Sequence, residues 1–218
     1  MYHIIKTLGI ALIFTILNSC GSKGKPDNFD YGHVNDYVYS NNFFKCSMKL
    51  PDNWNIQSEE STQQIMEMGK DIVAGDDDKM KAKITAAEVN VANLLAVFEH
   101  EIGTTLEGQY NPNIMLVAEN ISRAPLVKTG ADYLYHSREF LKQSQFQYDY
   151  LSDEFKSENI NGTEFYKMEA MMHYMGFDIK QMYYSTINKG FSFNVILSYT
   201  TEAQKQVLLK SLQSLLFE

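Results

Sequence analysis

The chain has 218 residues, with 19 lysines and arginines against 27 aspartates and glutamates, and a formal net charge of −8. This acidic balance argues against a nucleic-acid-binding protein, which needs clustered basic side chains. It also argues against electrostatic adhesion to an anionic membrane surface. The length suits a single domain, and two cysteines, Cys20 and Cys46, are too few for a disulfide framework.

The first twenty residues have the pattern of an export signal. Lys6 precedes a mainly apolar run at 8–17, which is too short to cross a bilayer core that needs about 20 residues. The sequence at 17–20, Leu-Asn-Ser-Cys, resembles the lipobox of bacterial lipoproteins, in which the cysteine is lipidated and the signal is cut before it. We therefore predict a signal peptide at 1–19 and a lipid on Cys20. The alternative is an ordinary cleavage site followed by an incidental thiol.

A flexible tether is predicted to follow the lipidated cysteine. Residues 20–35 are rich in Gly, Ser, Lys, Pro and Asp and have no apolar period, which predicts a reach of roughly 20 Å. Gly21 after the cysteine resembles the outer-membrane choice of the sorting rule for lipoproteins. We therefore expect a globular domain at 36–218, anchored in the bacterial envelope, most plausibly at the outer membrane and facing the periplasm or the surface.

Residues 37–50 predict a β-hairpin with its turn at 41–42. Alternation in its second half places four residues on the buried face: Phe44, Cys46, Met48 and Leu50. Cys46 is therefore predicted to be a core residue rather than a nucleophile. Pro51 ends the second strand, and Asn53 tolerates the positive φ of a turn before the core residue Trp54.

A helix is predicted from a cap at Ser61 or Thr62 to about Gly75. Asp76, Asp77 and Asp78 follow it. They lack the alternate spacing, glycine and distal glutamate of a calcium loop, so they are predicted to open a short helix at 80–84. The acidic segment 60–90 could be a docking surface.

Two groups of residues in the middle of the chain have side chains of the kinds used in metal binding or catalysis. A buried strand is predicted at 91–98, and Glu99, His100 and Glu101 after it could ligate a metal, but strand neighbours point to opposite faces. Thr129 and Asp132 predict a capping box on the next helix. His136 and Ser137 on that helix cannot face each other, and the chain has no G-x-S-x-G motif of a serine hydrolase.

The remainder predicts a β-meander closed by a helix. The predicted strands are 145–151, 155–160, 164–174, 179–187 and 191–199. Asn161-Gly162 predicts a hairpin turn. Thr201, with Gln204 three residues later, is predicted to cap the last helix, whose apolar face would hold Val207, Leu208, Leu212 and Leu215.

A methionine-rich run at 166–175 suggests one possible metal site. Read as a strand, it places Met171, His173 and Met175 on one face, where thioether and imidazole ligands could hold Cu(I). The alternative is that methionine fills irregular gaps under the helices. The core alternative is favoured, so the three residues are weak candidates and no cofactor is predicted.

The order of parts resembles the PsbP-like α/β/α sandwich of small secreted lipoproteins of Bacteroidetes type. The resemblance rests on the lipobox, a hairpin ending Leu50-Pro51-x-x-Trp54, the meander and a closing helix ending Ser211-Leu212-x-x-Leu215-Leu216-Phe217, and it covers about 36–218. It implies an α+β fold, an antiparallel sheet with helices packed on its faces. It also implies a non-enzymatic accessory protein that docks onto a larger membrane-associated assembly.

The predicted function is therefore a membrane-anchored, non-catalytic accessory lipoprotein of the cell envelope. Its partners would be the membrane, through the lipid on Cys20, and another envelope protein, but not nucleic acid. A module that binds metal or a small ligand at the Met/His strand is the first alternative. An enzyme of unrecognised class is the second, with unpaired carboxylates such as Glu99 and Glu101 giving no basis for choosing catalytic residues.

Overall fold

The computed structural model describes residues 24–106 and 108–218, so the predicted signal peptide and Cys20 lie outside the described residues. The described chain forms four helices and twelve strands. The helices are α1 (Glu59–Ala74), α2 (Asp78–Glu88), α3 (Gly130–Leu141) and α4 (Glu202–Leu212). The strands are β1 (His33–Asn35), β2 (Val38–Asn41), β3 (Cys46–Lys49), β4 (Asn55–Ile56), β5 (Val91–Phe98), β6 (Asn113–Asn120), β7 (Tyr148–Leu151), β8 (Lys156–Ile160), β9 (Thr163–Tyr174), β10 (Phe177–Asn188), β11 (Phe191–Tyr199) and β12 (Leu216–Phe217).

Two antiparallel sheets are formed from these strands. The large sheet has the order β4-β5-β6-β11-β10-β9-β7, with β8 also paired to β9, and the small sheet has the order β1-β2-β3-β12. Only antiparallel pairs occur among the described strands. The predicted α+β class is therefore confirmed.

The large sheet is the middle layer of a sandwich. Helices α1, α2 and α3 cover one face, where Ile65, Ile84 and Leu134 belong to the same apolar cluster as Ile196 of the sheet. The small sheet and α4 cover part of the other face, in a second cluster that includes Trp54. Because both clusters share the strands of the large sheet, the two layers are tied to one framework.

Several local predictions are confirmed. Phe44, Cys46, Met48 and Leu50 are buried in the alternating order predicted for the hairpin. Both capping boxes are present, with Thr129 and Thr201 as the caps of α3 and α4. Asn53 and Asn161 have positive φ angles of 63° and 47°, as the turn chemistry predicts.

Two local predictions are wrong. The cap of α1 is Ser58, whose side chain accepts a hydrogen bond from the Ser61 backbone N–H, so the helix begins at Glu59 rather than after Ser61 or Thr62. Because three Ser/Thr residues lie within five positions, the sequence allowed more than one capping residue for the helix. Val207 is 42% exposed, because α4 turns the face with Leu208, Ser211 and Leu212 toward the core.

The predicted tether boundary at residue 36 lies too late. Residues 24–35, which we call the strap, lie against the domain: β1 pairs with β2, and the Phe29 ring lies 4.8 Å from that of Phe43 and 5.4 Å from that of Phe191 between centroids. These aromatic contacts supply the apolar burial that a flexible tether lacks. No helix in 24–106 or 108–218 has both the length and the apolar character needed to span a membrane.

Candidate docking cleft

The three weak metal candidates are not brought together on one strand face. Met171 and His173 lie in β9, but the strand ends at Tyr174, and Met175 occupies the following turn with a φ of 50°. His173 Nδ1 instead lies 2.8 Å from Asp178 Oδ1. The predicted row of ligands is therefore wrong at Met175. Within the described ranges, no group of three or more His, Cys, Asp or Glu side chains could hold a metal ion.

Three other residues that the sequence analysis singled out, Cys46, Ser137 and Asp77, have structural roles. Burial, with a smaller contribution from the nearby Asp30 carboxylate, raises the pKa of the Cys46 thiol to about 12, as expected for a core cysteine. Ser137 is buried and donates its hydroxyl to the Tyr133 carbonyl in its own helix. Asp77 is the cap of α2 and accepts from the backbone N–H groups of Lys79 and Met80. Cys20 lies outside the described residues.

A cleft runs beside the edge strand β5, between the strap and α1. It consists of two adjoining hollows of about 210 and 430 Å³ that share four lining residues: Tyr31, Glu59, Thr62 and Asn93. The strap forms one wall, α1 forms the other, and β5 forms the floor. We call this feature the β5 cleft.

Hydrogen bonds fix the strap wall of the cleft. Tyr39 donates its hydroxyl to the Tyr31 carbonyl at 2.9 Å, and Asn41 Nδ2 donates to the Asp30 carbonyl at 2.8 Å. The Asp30 carboxylate accepts from the backbone N–H groups of Gly32 and Asn42 at 2.8 and 2.7 Å. Although burial alone would raise the pKa of Asp30, these hydrogen bonds outweigh it and lower the pKa below its ordinary value.

The floor of the cleft is an open strand edge. β4 pairs only with Val97 and Phe98, and Gln57 adds one backbone hydrogen bond to the Ala96 carbonyl at 2.9 Å. No strand of the described chain pairs with the outer edge of β5 between Val91 and Leu95. Such an edge presents backbone N–H and C=O groups to an incoming strand.

Asn93 marks an irregularity in this edge. The register with β6 shifts between Asn93 and Leu95, as at a β-bulge. The Asn93 Oδ1 atom is buried and has no hydrogen-bond partner among the described residues. An unpaired buried acceptor is costly, so this position of the edge strand is less stable than a regularly paired one.

The rim of the cleft is predominantly acidic. Glu59, Glu67 and Glu88 line it, with Lys25 on the strap side. Lys70 Nζ bridges two of these carboxylates, at 2.6 Å from Glu67 and 3.2 Å from Glu88. Glu59, in the exposed first turn of α1, adds a negative charge beyond that bridged pair. The cleft therefore suits a ligand that supplies hydrogen-bond donors and positive charge.

Sequence reasoning missed this cleft because its strap wall was predicted to be a tether. Phe29 and Tyr31, two aromatic residues two positions apart in a polar segment, were the available signal for packing. The bulge at Asn93 had no sequence signal, since the run at 91–98 is nearly all apolar.

Comparison with known proteins gives structural likenesses alone. No protein-family model matches the chain, and no curated protein sequence does. Similar solved structures include cyanobacterial PsbP from Synechocystis sp. PCC 6803, at 14% identity over 93% of this chain and 99% of that one, with a TM-score of 0.49. LpqN of Mycobacterium tuberculosis, described as involved in cell envelope biogenesis, has 12% identity over 78% of each chain and a TM-score of 0.38.

A protein from Bacteroides thetaiotaomicron is also similar, at 11% identity over 80% of this chain and a TM-score of 0.41. The chain spans 45% of the length of that protein. These are likenesses of structure at low sequence identity.

Proposed function

We propose that this protein is a lipid-anchored accessory protein of the cell envelope that acts by binding and not by catalysis. Its docking site is the β5 cleft, and the occupant is an extended, basic segment of a partner protein. The observation that carries the proposal is the open outer edge of β5 at the floor of a polar cleft.

Strand addition is the mode of binding that this edge favours. A segment laid along Val91 to Leu95 would pair its main chain with the free edge of the large sheet, as extended peptides do on other exposed edges. Asn93, beside the bulge, lines both hollows of the cleft, so the segment would pass along a polar side chain at this position. The strap holds the opposite wall in place, so little ordering is needed on binding.

Charge selects the chemistry of the occupant. Glu59, Glu67 and Glu88 outnumber the basic side chains at the cleft, Lys25 and the bridging Lys70, within a chain of formal net charge −8. A second copy of this chain would bring the same acidic rim against itself, which disfavours a homodimer through this edge. A lysine- or arginine-bearing segment complements the rim and would associate faster at low salt.

Anchoring is the second part of the proposal and rests on the lipobox ending at Cys20. The intact mass of the protein purified from membranes would show the acyl chains. Cys20→Ser should lose them and move the protein from the membrane to the soluble fraction. An unmodified mass, or a Cys20→Ser form that stays with the membrane, would remove the anchor from the proposal.

Docking is tested by site-specific crosslinking in intact cells. A photoreactive phenylalanine analogue replaces exposed Gln63 on the cleft side of α1 or, as a matched control, exposed Gln206 on α4. We expect one protein to crosslink at position 63 and not at 206, through a peptide that carries Lys or Arg. Adducts of equal yield at both positions, or none at position 63, would contradict the docking site.

A charge reversal separates the cleft from the rest of the acidic surface. Glu59→Lys should lower the crosslinking yield from position 63, because it removes the charge that the basic segment meets. Glu202→Lys makes the same change in the first turn of α4 and should leave the yield unchanged. Equal effects of the two variants would point to non-specific charge rather than to the cleft.

A further inference from the structure

The described chain begins at one end of the large sheet, which we call the basal pole. It comprises Gly24, Val89, Asn120 and the loop 121–128. Asn120 Nδ2 donates to the Gly24 carbonyl at 2.7 Å, and a Cβ atom on Gly24 would lie 2.1 Å from the Val89 carbonyl oxygen. The main chain is therefore held against the domain from its first described residue.

This attachment shortens the link between Cys20 and the folded domain. Gly24 is four residues from Cys20, and four residues span at most about 14 Å even when fully extended. Residues 24–35, which the sequence assigned to the tether, contribute no reach because they pack as the strap. A lipid on Cys20 would thus hold the basal pole within one short link of the headgroups.

The side chains of the basal pole suit that position. Leu126 is 83% exposed and Val89 is 56% exposed, two of the largest exposures of apolar side chains in the described chain. Two successive turns, closed by hydrogen bonds from Ala124 to Ile121 and from Val127 to Ala124, shape the loop, and Leu126 lies in the second. Its exposure is therefore a fixed feature of the surface.

The charge of the basal pole differs from that of the whole chain. The loop 121–128 contains Arg123 and Lys128, both exposed, and no carboxylate, and Lys25 follows Gly24 directly. Glu88, which precedes Val89, is paired with Lys70 at 3.2 Å. Net charge predicts no adhesion to anionic lipid, but a local set of basic side chains around two apolar ones is the composition of a surface that rests among headgroups.

We propose that the basal pole is a membrane-contacting surface that places Leu126 and Val89 among the lipid headgroups. The inference rests on the proposed lipid at Cys20 and adds a fixed orientation to it. β5 starts at this pole with Val91, so the β5 cleft opens beside the bilayer. A partner would have to present its basic segment close to the membrane surface.

The test uses the full-length lipidated protein in vesicles of phosphatidylcholine with phosphatidylglycerol as the minor lipid. Leu126→Cys and, separately, Leu106→Cys are labelled with an NBD fluorophore. Leu106 is the matched control: it is 76% exposed and lies in the loop between β5 and β6, at the opposite end of the sheet. The native thiol of Cys46 is buried and would not compete for the label.

A headgroup-attached nitroxide lipid then reports contact by quenching the fluorophore. We expect quenching at position 126 to exceed that at position 106 several-fold, and the soluble Cys20→Ser forms to show none at either position. Equal quenching of the two positions in acylated protein would overturn the inference and leave the anchor intact. An intact mass without acyl chains would instead refute the anchor, and the inference with it.

Discussion

Gly32 occupies a position in the strap where no other residue fits without displacing its neighbours. Its φ is 86°, and a Cβ atom would lie 2.5 Å from the Tyr39 ring, which is itself buried and holds the Tyr31 carbonyl. The positive φ angle and the closeness of the Tyr39 ring therefore each favour glycine at position 32.

We predict that Gly32→Ala lowers the free energy of unfolding by about 1 kcal/mol for the backbone and about 2 kcal/mol more for the overlap with Tyr39. Gly176→Ala is the control, because Gly176 has a φ of 85° and open space around it. Urea unfolding of both variants measures the difference. Equal losses of unfolding free energy in the two variants would mean that the strap can shift at little cost to make room for a methyl group beside Tyr39.

Two buried serines of the large sheet differ in the partners of their hydroxyls. Ser185 and Ser198 are both fully buried, but Ser185 Oγ has no partner among the described residues, whereas Ser198 Oγ shares a short hydrogen bond with the Tyr110 hydroxyl. We predict that Ser185→Ala is neutral or stabilises by up to about 1 kcal/mol, and that Ser198→Ala destabilises by about 1–2 kcal/mol. Thermal unfolding compares them, and a larger loss at Ser185 would reveal a bound water or other partner.

At the scale of elements, the strap lies between the proposed anchor at Cys20 and the β5 cleft. Its hydrogen bonds converge on Asp30, whose lowered pKa means that the folded state prefers the ionised carboxylate. A carboxylate with a depressed folded pKa stabilises fully above its unfolded pKa, near 3.8, and loses that contribution as pH falls through the folded value.

We therefore predict that Asp30→Asn destabilises the protein at neutral pH and that the difference from the wild type shrinks below about pH 4. Urea unfolding at a series of pH values measures this, with Asp52→Asn at an exposed turn as the control. A difference that stays constant down to low pH would show that Asp30 acts through shape and not through charge.

Structural features that depend on neighbouring residues could be predicted from the sequence, whereas features that depend on contacts between distant residues could not. The capping boxes at Thr129 and Thr201 and the Asn53 turn were predictable, because each is decided within four residues. The strap was not, because Phe29 is held by Phe43 and Phe191, distant in sequence. The turn after residue 174 was predicted between two strands, but Met175 was still counted on the strand face, because an alternating pattern does not itself show at which residue the strand ends.

At the scale of the whole molecule, one sheet contributes to both of the large apolar clusters. The single tryptophan, Trp54, reports on the cluster under the small sheet, while α1, α2 and α3 cover the other face. Both the small sheet with α4 and the helical layer α1–α3 pack their apolar residues in clusters that include residues of the large sheet. The layers should therefore unfold together.

We predict that Trp54 fluorescence and far-ultraviolet circular dichroism give the same urea midpoint and slope. Gly32→Ala should shift both signals equally, since the strap belongs to the same unit. Two separated transitions would show instead that the small sheet or the helical layer melts independently.

In the proposed orientation, the β9–β10 hairpin would set the height of the molecule above the membrane. Each strand has twelve residues, which amounts to about 40 Å, and the strands run from the basal pole, where Gly190 accepts a hydrogen bond from Ile121, to the turn at Met175. With that pole on the bilayer, the His173–Asp178 pair near the tip would stand clear of the lipid by about the full thickness of the membrane. The two ends of the protein would therefore meet different neighbours: membrane-embedded partners at the cleft, and molecules free in the surrounding space at the tip.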